Sequence, residues 1–175
     1  TIFVPWYALE YYDVTQEKML VEQGEYRFSA GASSTDIRQE LECTVSGEVI
    51  PPRNLSHSIC IKNYDIKHGI EIALRFSYRK NDWYGCINDW GGSFTFADAD
   101  FAGYTKAELW AAAPCSQAGV AIYAGEQQLG SVEILPSRSM DDFQLYTIPL
   151  KPYTGQADLR LEITGMASVY RIQLG

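Results

Sequence analysis

An all-β fold of antiparallel sandwich modules is what this sequence predicts, and three observations predict it. Apolar residues recur with period two in stretch after stretch, and Gly and Pro clusters punctuate those stretches. No segment of about a dozen residues keeps apolar side chains at helical spacing. Side chains on a strand alternate between faces, so period two means one face buried and one wet.

Taken in order, Tyr26, Phe28 and Ala30 alternate with Arg27 and Ser29. Ile37, Leu41, Cys43 and Val45 share a face with Gln39, opposite Arg38, Glu40, Glu42 and Thr44. Ile70, Ile72, Leu74, Phe76 and Tyr78 form one face of a long strand. Ala107, Leu109 and Ala111 oppose Lys106, Glu108 and Trp110, and Leu159, Leu161 and Ile163 oppose Arg160, Glu162 and Thr164. Each pattern predicts a half-buried antiparallel strand. Turns are expected at Glu22-Gln23-Gly24, Gly91-Gly92, Gly125 to Gly130 and Tyr153-Thr154-Gly155.

A boundary is expected across residues 46–54, where Pro51 and Pro52 stiffen the chain into an extended link. Residues 1–45 then make one unit and 55–175 another. The first is too short for a whole sandwich, because two or three strands cannot bury both faces of a core. It reads as the last part of a module. The opening Thr1-Ile2-Phe3-Val4-Pro5-Trp6 has no basic region, no small-residue cleavage site and no initiator Met. A fragment or a processed piece is therefore expected rather than a signal peptide.

With 46% apolar residues in 175, a packed core is feasible. The 14 basic against 22 acidic residues, net −8, argue against nucleic acid and anionic membranes, whose binding needs clustered Lys and Arg. There is no apolar run of about 18 residues, so no membrane-spanning helix is predicted. Cys43, Cys60, Cys86 and Cys115 contain no C-x-x-C pair for zinc and read as buried free thiols, with disulfides the alternative. They do not set the compartment.

In the first unit, the run Val21-Glu22-Gln23-Gly24-Glu25-Tyr26-Arg27-Phe28-Ser29-Ala30-Gly31-Ala32-Ser33-Ser34-Thr35-Asp36-Ile37-Arg38 resembles the closing strands of the fibronectin type III-like domain that ends many family 3 glycoside hydrolases. That domain is an accessory, so the resemblance implies a β-glucosidase- or β-xylosidase-like parent without placing catalytic residues here.

In the second unit, the cues are Phe94 to Tyr104, the strand Ala107 to Ala111, the hairpin Val120 to Val132, and Asp142 to Thr147 with the closing strands from Leu159 and Val169. In that order and spacing they resemble family 6 carbohydrate-binding modules. The resemblance implies a β-jelly-roll sandwich whose loops at one end form a sugar-binding cleft.

A sugar offers an apolar face of C–H groups and a rim of hydroxyls, so its site needs exposed rings and a few amide or carboxylate partners. Asn81 to Gly92 supplies both in what reads as turn-rich sequence. Trp83 or Tyr84 best matches the stacking aromatic of the resembled family, and a second aromatic falls near Phe143. Asn88 and Asp89, with Asn81, are the candidate hydroxyl partners, and Trp90 is a further candidate ring; the bland reading packs these rings onto the sandwich. The family's Asn in the last loop falls where Ser168 stands.

The family's structural calcium is doubtful here, because Ile59 to Asp65 carries Cys60 and Lys62 where carboxylates are expected. Asp98 and Asp100, alternating on a strand, read as solvated face residues rather than ligands. No catalytic residue, metal ligand or cofactor is assigned. His57 and His68 stand in no motif with a nucleophile, and the acidic pairs are no more than any acid-rich sandwich offers. The triplet Asn54-Leu55-Ser56 fits a glycosylation sequon.

The expected function is a non-catalytic carbohydrate-binding accessory region. Its partners would be an oligo- or polysaccharide and the parent's catalytic domains. The alternative is a structural or dimerisation module, which leaves homo-oligomers open.

Overall fold

The computed structural model describes the backbone of residues 2–76, 81–87, 91–114 and 116–175, and the side chains within these ranges outside 74–90. The chain is all-β, with two 3₁₀ turns, Trp6–Leu9 and Ile61–Asn63, as its helical elements among the described residues. It divides into two compact units, Thr1–Pro51 and Pro52–Gly175.

The first unit holds two short ladders. Strand β1 (Tyr11–Asp13) pairs with β2 (Lys18–Leu20), and β3 (Gly24–Ser33) pairs with β4 (Asp36–Val45), both antiparallel. The β3–β4 ribbon has two unlike faces. On one, Arg27 pairs with Glu42, Ser29 donates to Glu40, and Thr44 donates to Glu25. On the other lie Tyr26, Phe28, Leu41 and Cys43, with Tyr26 stacked on Phe28 at 6.5 Å. The alternation predicts that this face is buried, yet Leu41 is 64% and Ile37 44% exposed. A two-stranded ribbon has no second layer of its own to close over it.

Glu22-Gln23-Gly24 is not the expected turn. Glu22 bridges Glu48 in parallel, the Gln23 amide donates to the Glu48 carbonyl, and Gly24 opens β3. Backbone pairing with the returning chain holds this stretch extended.

The second unit is a sandwich of two six-stranded sheets. Its strands are β5 (Arg53–Asn54), β6 (Ile59–Cys60), β7 (Ile66–His68), β8 (Ile70–Phe76), β9 (Asn81–Ile87), β10 (Gly92–Ala102), β11 (Lys106–Ala112), β12 (Ala118–Ala124), β13 (Gln127–Ile134), β14 (Gln144–Pro149), β15 (Thr154–Thr164) and β16 (Ser168–Leu174). The first sheet runs β13-β12-β15-β10-β5, with β7 also on β10. The second runs β14-β11-β16-β9-β8, with β6 also on β16. From β10 onward the chain crosses repeatedly between sheets, the jelly-roll route. Among its described residues, pairing is antiparallel apart from β5 on β10 and the isolated bridge Ala113–Pro136.

Between the sheets lies one apolar core. Phe94, Phe96 and Phe101 of β10, Leu109 of β11, Ile122 of β12, and Leu159 and Leu161 of β15 are fully buried or nearly so. These are the inward positions of the period-two pattern, and their burial drives the two layers together.

Three local expectations give way, and the first is the turn at Tyr153-Thr154-Gly155, where Thr154 and Gly155 instead open β15 against Ala102 and Phe101. Asp98 and Asp100 do not alternate on a regular strand: β10 bulges against β15 between Phe96 and Ala99, with Asp98 at φ 48°. The bulge inserts one residue, so Phe96 and Ala99 both point into the core. Asp158 Oδ1 accepts the Asp98 amide at 3.1 Å, and Asp65 Oδ2 accepts the Ala97 amide at 2.7 Å. Asn81–Ile87 is a strand between β8 and β16, not a turn-rich loop.

Candidate functional site

The outer face of the first sheet carries a channel, and its shape follows from register. Strand β12 lies between β13 and β15, so the outward residues of three strands stand side by side. Val120 and Ile122 point into the core, which sends Gly119, Ala121 and Tyr123 outward. One row reads Ser131, Ala121, Glu162, and the next reads Glu133, Gly119, Thr164. The middle strand thus offers a floor of two small residues, and both walls are polar.

Neighbouring strands lie about 4.8 Å apart, so the walls stand on backbones about 10 Å apart. From Tyr123 to Gly119 the floor runs about 14 Å. Tyr123 stands at one end, and Gln117 and Gly165 at the other. The concavity measures about 570 Å³, within the usual range for a ligand site. Gly119 is needed for its depth: a Cβ there would come within 2.7 Å of the Thr164 hydroxyl oxygen.

Tyr123 is held on two sides. The Arg160 guanidinium lies over its ring, 4.3 Å from the centroid. The Glu162 carboxylate beside it, followed by burial, holds the phenol above its ordinary pKa. Arg160 also contacts Glu162 and lies 3.8 Å from Glu126. Glu162 is therefore fixed in direction before any ligand arrives.

Glu133 is different. It is exposed on the opposite wall, and its carboxylate has no hydrogen bond or ion pair among the described residues. The channel joins one ring edge, two carboxylates and the hydroxyls of Ser131 and Thr164 over a flat floor. These groups suit a polyhydroxylated ligand, whose O–H groups donate to carboxylates and whose C–H face rests on small side chains.

The other candidates whose backbone is described lie on β9 or just before β14. Phe143, just before β14, packs on Tyr170 at 5.5 Å between ring centroids. The Arg171 guanidinium lies 4.4 Å from the Tyr170 ring and 5.5 Å from that of Trp110. Phe143 is half-buried in this stack, and Tyr170 is buried. Ser168 is fully buried, with its hydroxyl toward Met140 Sδ at 3.5 Å.

Trp83 and Tyr84 stand on β9 opposite Leu74 and Ala73, and Gly85 pairs with Val169, so the backbone brings that strand beside β16. The side chains of Trp83 and Tyr84, and Asn88, Asp89 and Trp90 entirely, lie outside the described residues. Among the described residues no group of three or more His, Cys, Asp or Glu could hold a metal ion.

The sequence reading missed the channel. Its signal was there: β15 presents Arg160, Glu162 and Thr164 outward, and β12 presents Gly119, Ala121 and Tyr123. Which strands neighbour β12 decides whether those residues form a channel, and periodicity does not carry that.

No family model matches the chain, and no curated protein matches it. Solved structures do. One is a module of Clostridium stercorarium in complex with cellobiose, at 20% identity and TM-score 0.64, covering 73% of this chain and 98% of that one. The first unit is too short to supply more than a minor part of such a share, so most of the match falls on the second. The sandwich has the fold of family 6 carbohydrate-binding modules. A β-1,3-glucan-binding module of this fold from Bacillus halodurans matches at 18% identity and TM-score 0.63, covering 69% of this chain and 96% of its own. A family 43 arabinoxylan arabinofuranohydrolase of Bacillus subtilis, in complex with cellotetraose, matches at 10% identity and TM-score 0.63. There the match covers 83% of this chain and 32% of the hydrolase.

Proposed function

We propose that this chain is a non-catalytic carbohydrate-binding region and that the channel along β12 holds the glycan. The observation that carries the reading is the channel's make-up: a Gly119–Ala121 floor between polar walls, ended by the Tyr123 ring. The likeness of fold to modules solved with cellobiose and with xylose supports it. Tethering an enzyme to its polymer raises the local substrate concentration without new chemistry.

The reading extends to a second contact, where Trp83 or Tyr84 stacks on a sugar with Asn88, Asp89, Trp90 and Phe143 around it. The backbone pairing of β9 with β16, beside Phe143 and Tyr170, supports this. The parent is proposed as a family 3-like β-glycosidase, of β-glucosidase or β-xylosidase type. Residues 1–45 are then the closing strands of its fibronectin type III-like domain, on the resemblance of Val21 to Arg38.

Calorimetry against xylo-, cello- and laminari-oligosaccharides tests the binding. We expect a dissociation constant on the order of 10 μM to 1 mM with at least one of them. No heat from any at millimolar ligand overturns the reading. Binding that survives Tyr123→Ala and a bulky residue at Gly119 removes it from the channel.

A structural or dimerisation module is the second reading. The exposed Leu145 beside Trp110 on the second sheet, and Leu41 and Ile37 on the ribbon, favour it. A dimer in light scattering, with no glycan bound, would establish it instead.

A further inference from the structure

We infer that the channel selects amino-sugar glycans and turns away acidic ones; this rests on the glycan-binding reading above and names the ligand class. Among the described residues, no Lys or Arg lines the channel, while Glu133 and Glu162 do. They stand on opposite walls and one row apart, Glu162 level with Ala121 and Glu133 level with Gly119.

Their roles differ. The Glu162 charge is shared with Arg160, whose guanidinium also lies over the Tyr123 ring, so it orients a ligand hydroxyl. The Arg160 charge is in turn divided between Glu162 and Glu126. Glu133 has no such partner, and its carboxylate can only accept. A glucosamine ammonium, donating from one face of the sugar, supplies both the opposite charge and the donors. A uronate would bring its carboxylate beside Glu133 with no cation to answer it, in a chain whose net charge is −8.

The test is calorimetry and NMR titration of the whole chain with four oligosaccharide sets: glucosamine, N-acetylglucosamine, cello and galacturonate. Glucosamine oligomers are expected to bind at least about tenfold tighter than galacturonate oligomers, as for unit charges meeting near a protein surface. The gap should narrow between about 20 and 200 mM salt. Glu133→Gln is expected to bring the glucosamine set within about twofold of the cello set measured on the same variant.

Equal binding of glucosamine and galacturonate sets, or a ratio unchanged in Glu133→Gln, overturns the selectivity while cello-oligosaccharide binding keeps the channel. Glucosamine binding that survives Tyr123→Ala is adherence of a polycation to an acidic protein and also overturns it. Silence from all four sets fells the glycan reading itself.

Discussion

Four residues set what the channel can do: Gly119, Tyr123, Glu133 and Glu162. Gly119 gives depth, because any Cβ there crowds the Thr164 hydroxyl. Gly119→Val should therefore abolish oligosaccharide binding and leave the core intact, since the position faces outward. Its melting temperature should stay within a few degrees of the parent, the shift expected of about 1 kcal/mol in a domain this size. A calorimetric titration beside a melting curve separates the two effects.

Tyr123 carries a pH prediction. The Glu162 carboxylate, then burial, raise the phenol above its ordinary value. A raised pKa means the protonated form is favoured in the fold. The stability this shift contributes is thus complete below about pH 10, the unfolded value, and fades as pH climbs through the folded one. The loss of affinity that follows Tyr123 ionisation should therefore come only above about pH 10, and Tyr123→Phe should remove that step. NMR titration along a pH series reads both, and a Tyr123-dependent loss near pH 8 would contradict the assignment.

At the scale of elements, strand faces were readable in the sequence and strand neighbours were not. Leu159, Leu161 and Ile163 are buried as their alternation requires, and so are Ala107, Leu109 and Ala111. Period two states which side of a strand is apolar, because a slip of one residue would turn every side chain over. It does not reveal bulges. At Asp98 the chain adopts a left-handed conformation that keeps Phe96 and Ala99 both inside, and the pattern alone puts Asp98 and Asp100 on one regular face. Nor does it reveal pairing: Asn81 to Ile87 has the composition of a loop, yet β8 and β16 take it as a strand. The bulge is testable. Asp tolerates φ 48° better than a branched residue does, so Asp98→Val should cost about 1–2 kcal/mol in urea unfolding. Asp98→Gly should be close to neutral, since glycine takes positive φ freely. A tolerated valine would mean that the backbone straightens there and the core shifts register.

At the scale of the molecule, the two units differ in what they can bury. The second unit owns a continuous core shared by both of its sheets, from Leu55 and Ile61 at its start to Leu174 at its end. The first has ladders of two strands each and an apolar ribbon face open to water. Free energy of folding comes mainly from apolar burial, so the units should contribute unequally to stability. Residues 52–175 made alone should therefore fold and unfold cooperatively, with calorimetric and van't Hoff enthalpies in agreement. Leu161→Ala in that piece removes a fully buried side chain and should cost about 2–5 kcal/mol. Leu41→Ser in the whole chain, at an exposed site, should change stability by no more than about 0.5 kcal/mol. If Leu41→Ser proves as damaging as Leu161→Ala, the ribbon face is covered in solution and the first unit finds its second layer there. Light scattering on the same samples then tells whether another copy supplies it. A monomer of unchanged mass would place the cover within the chain itself.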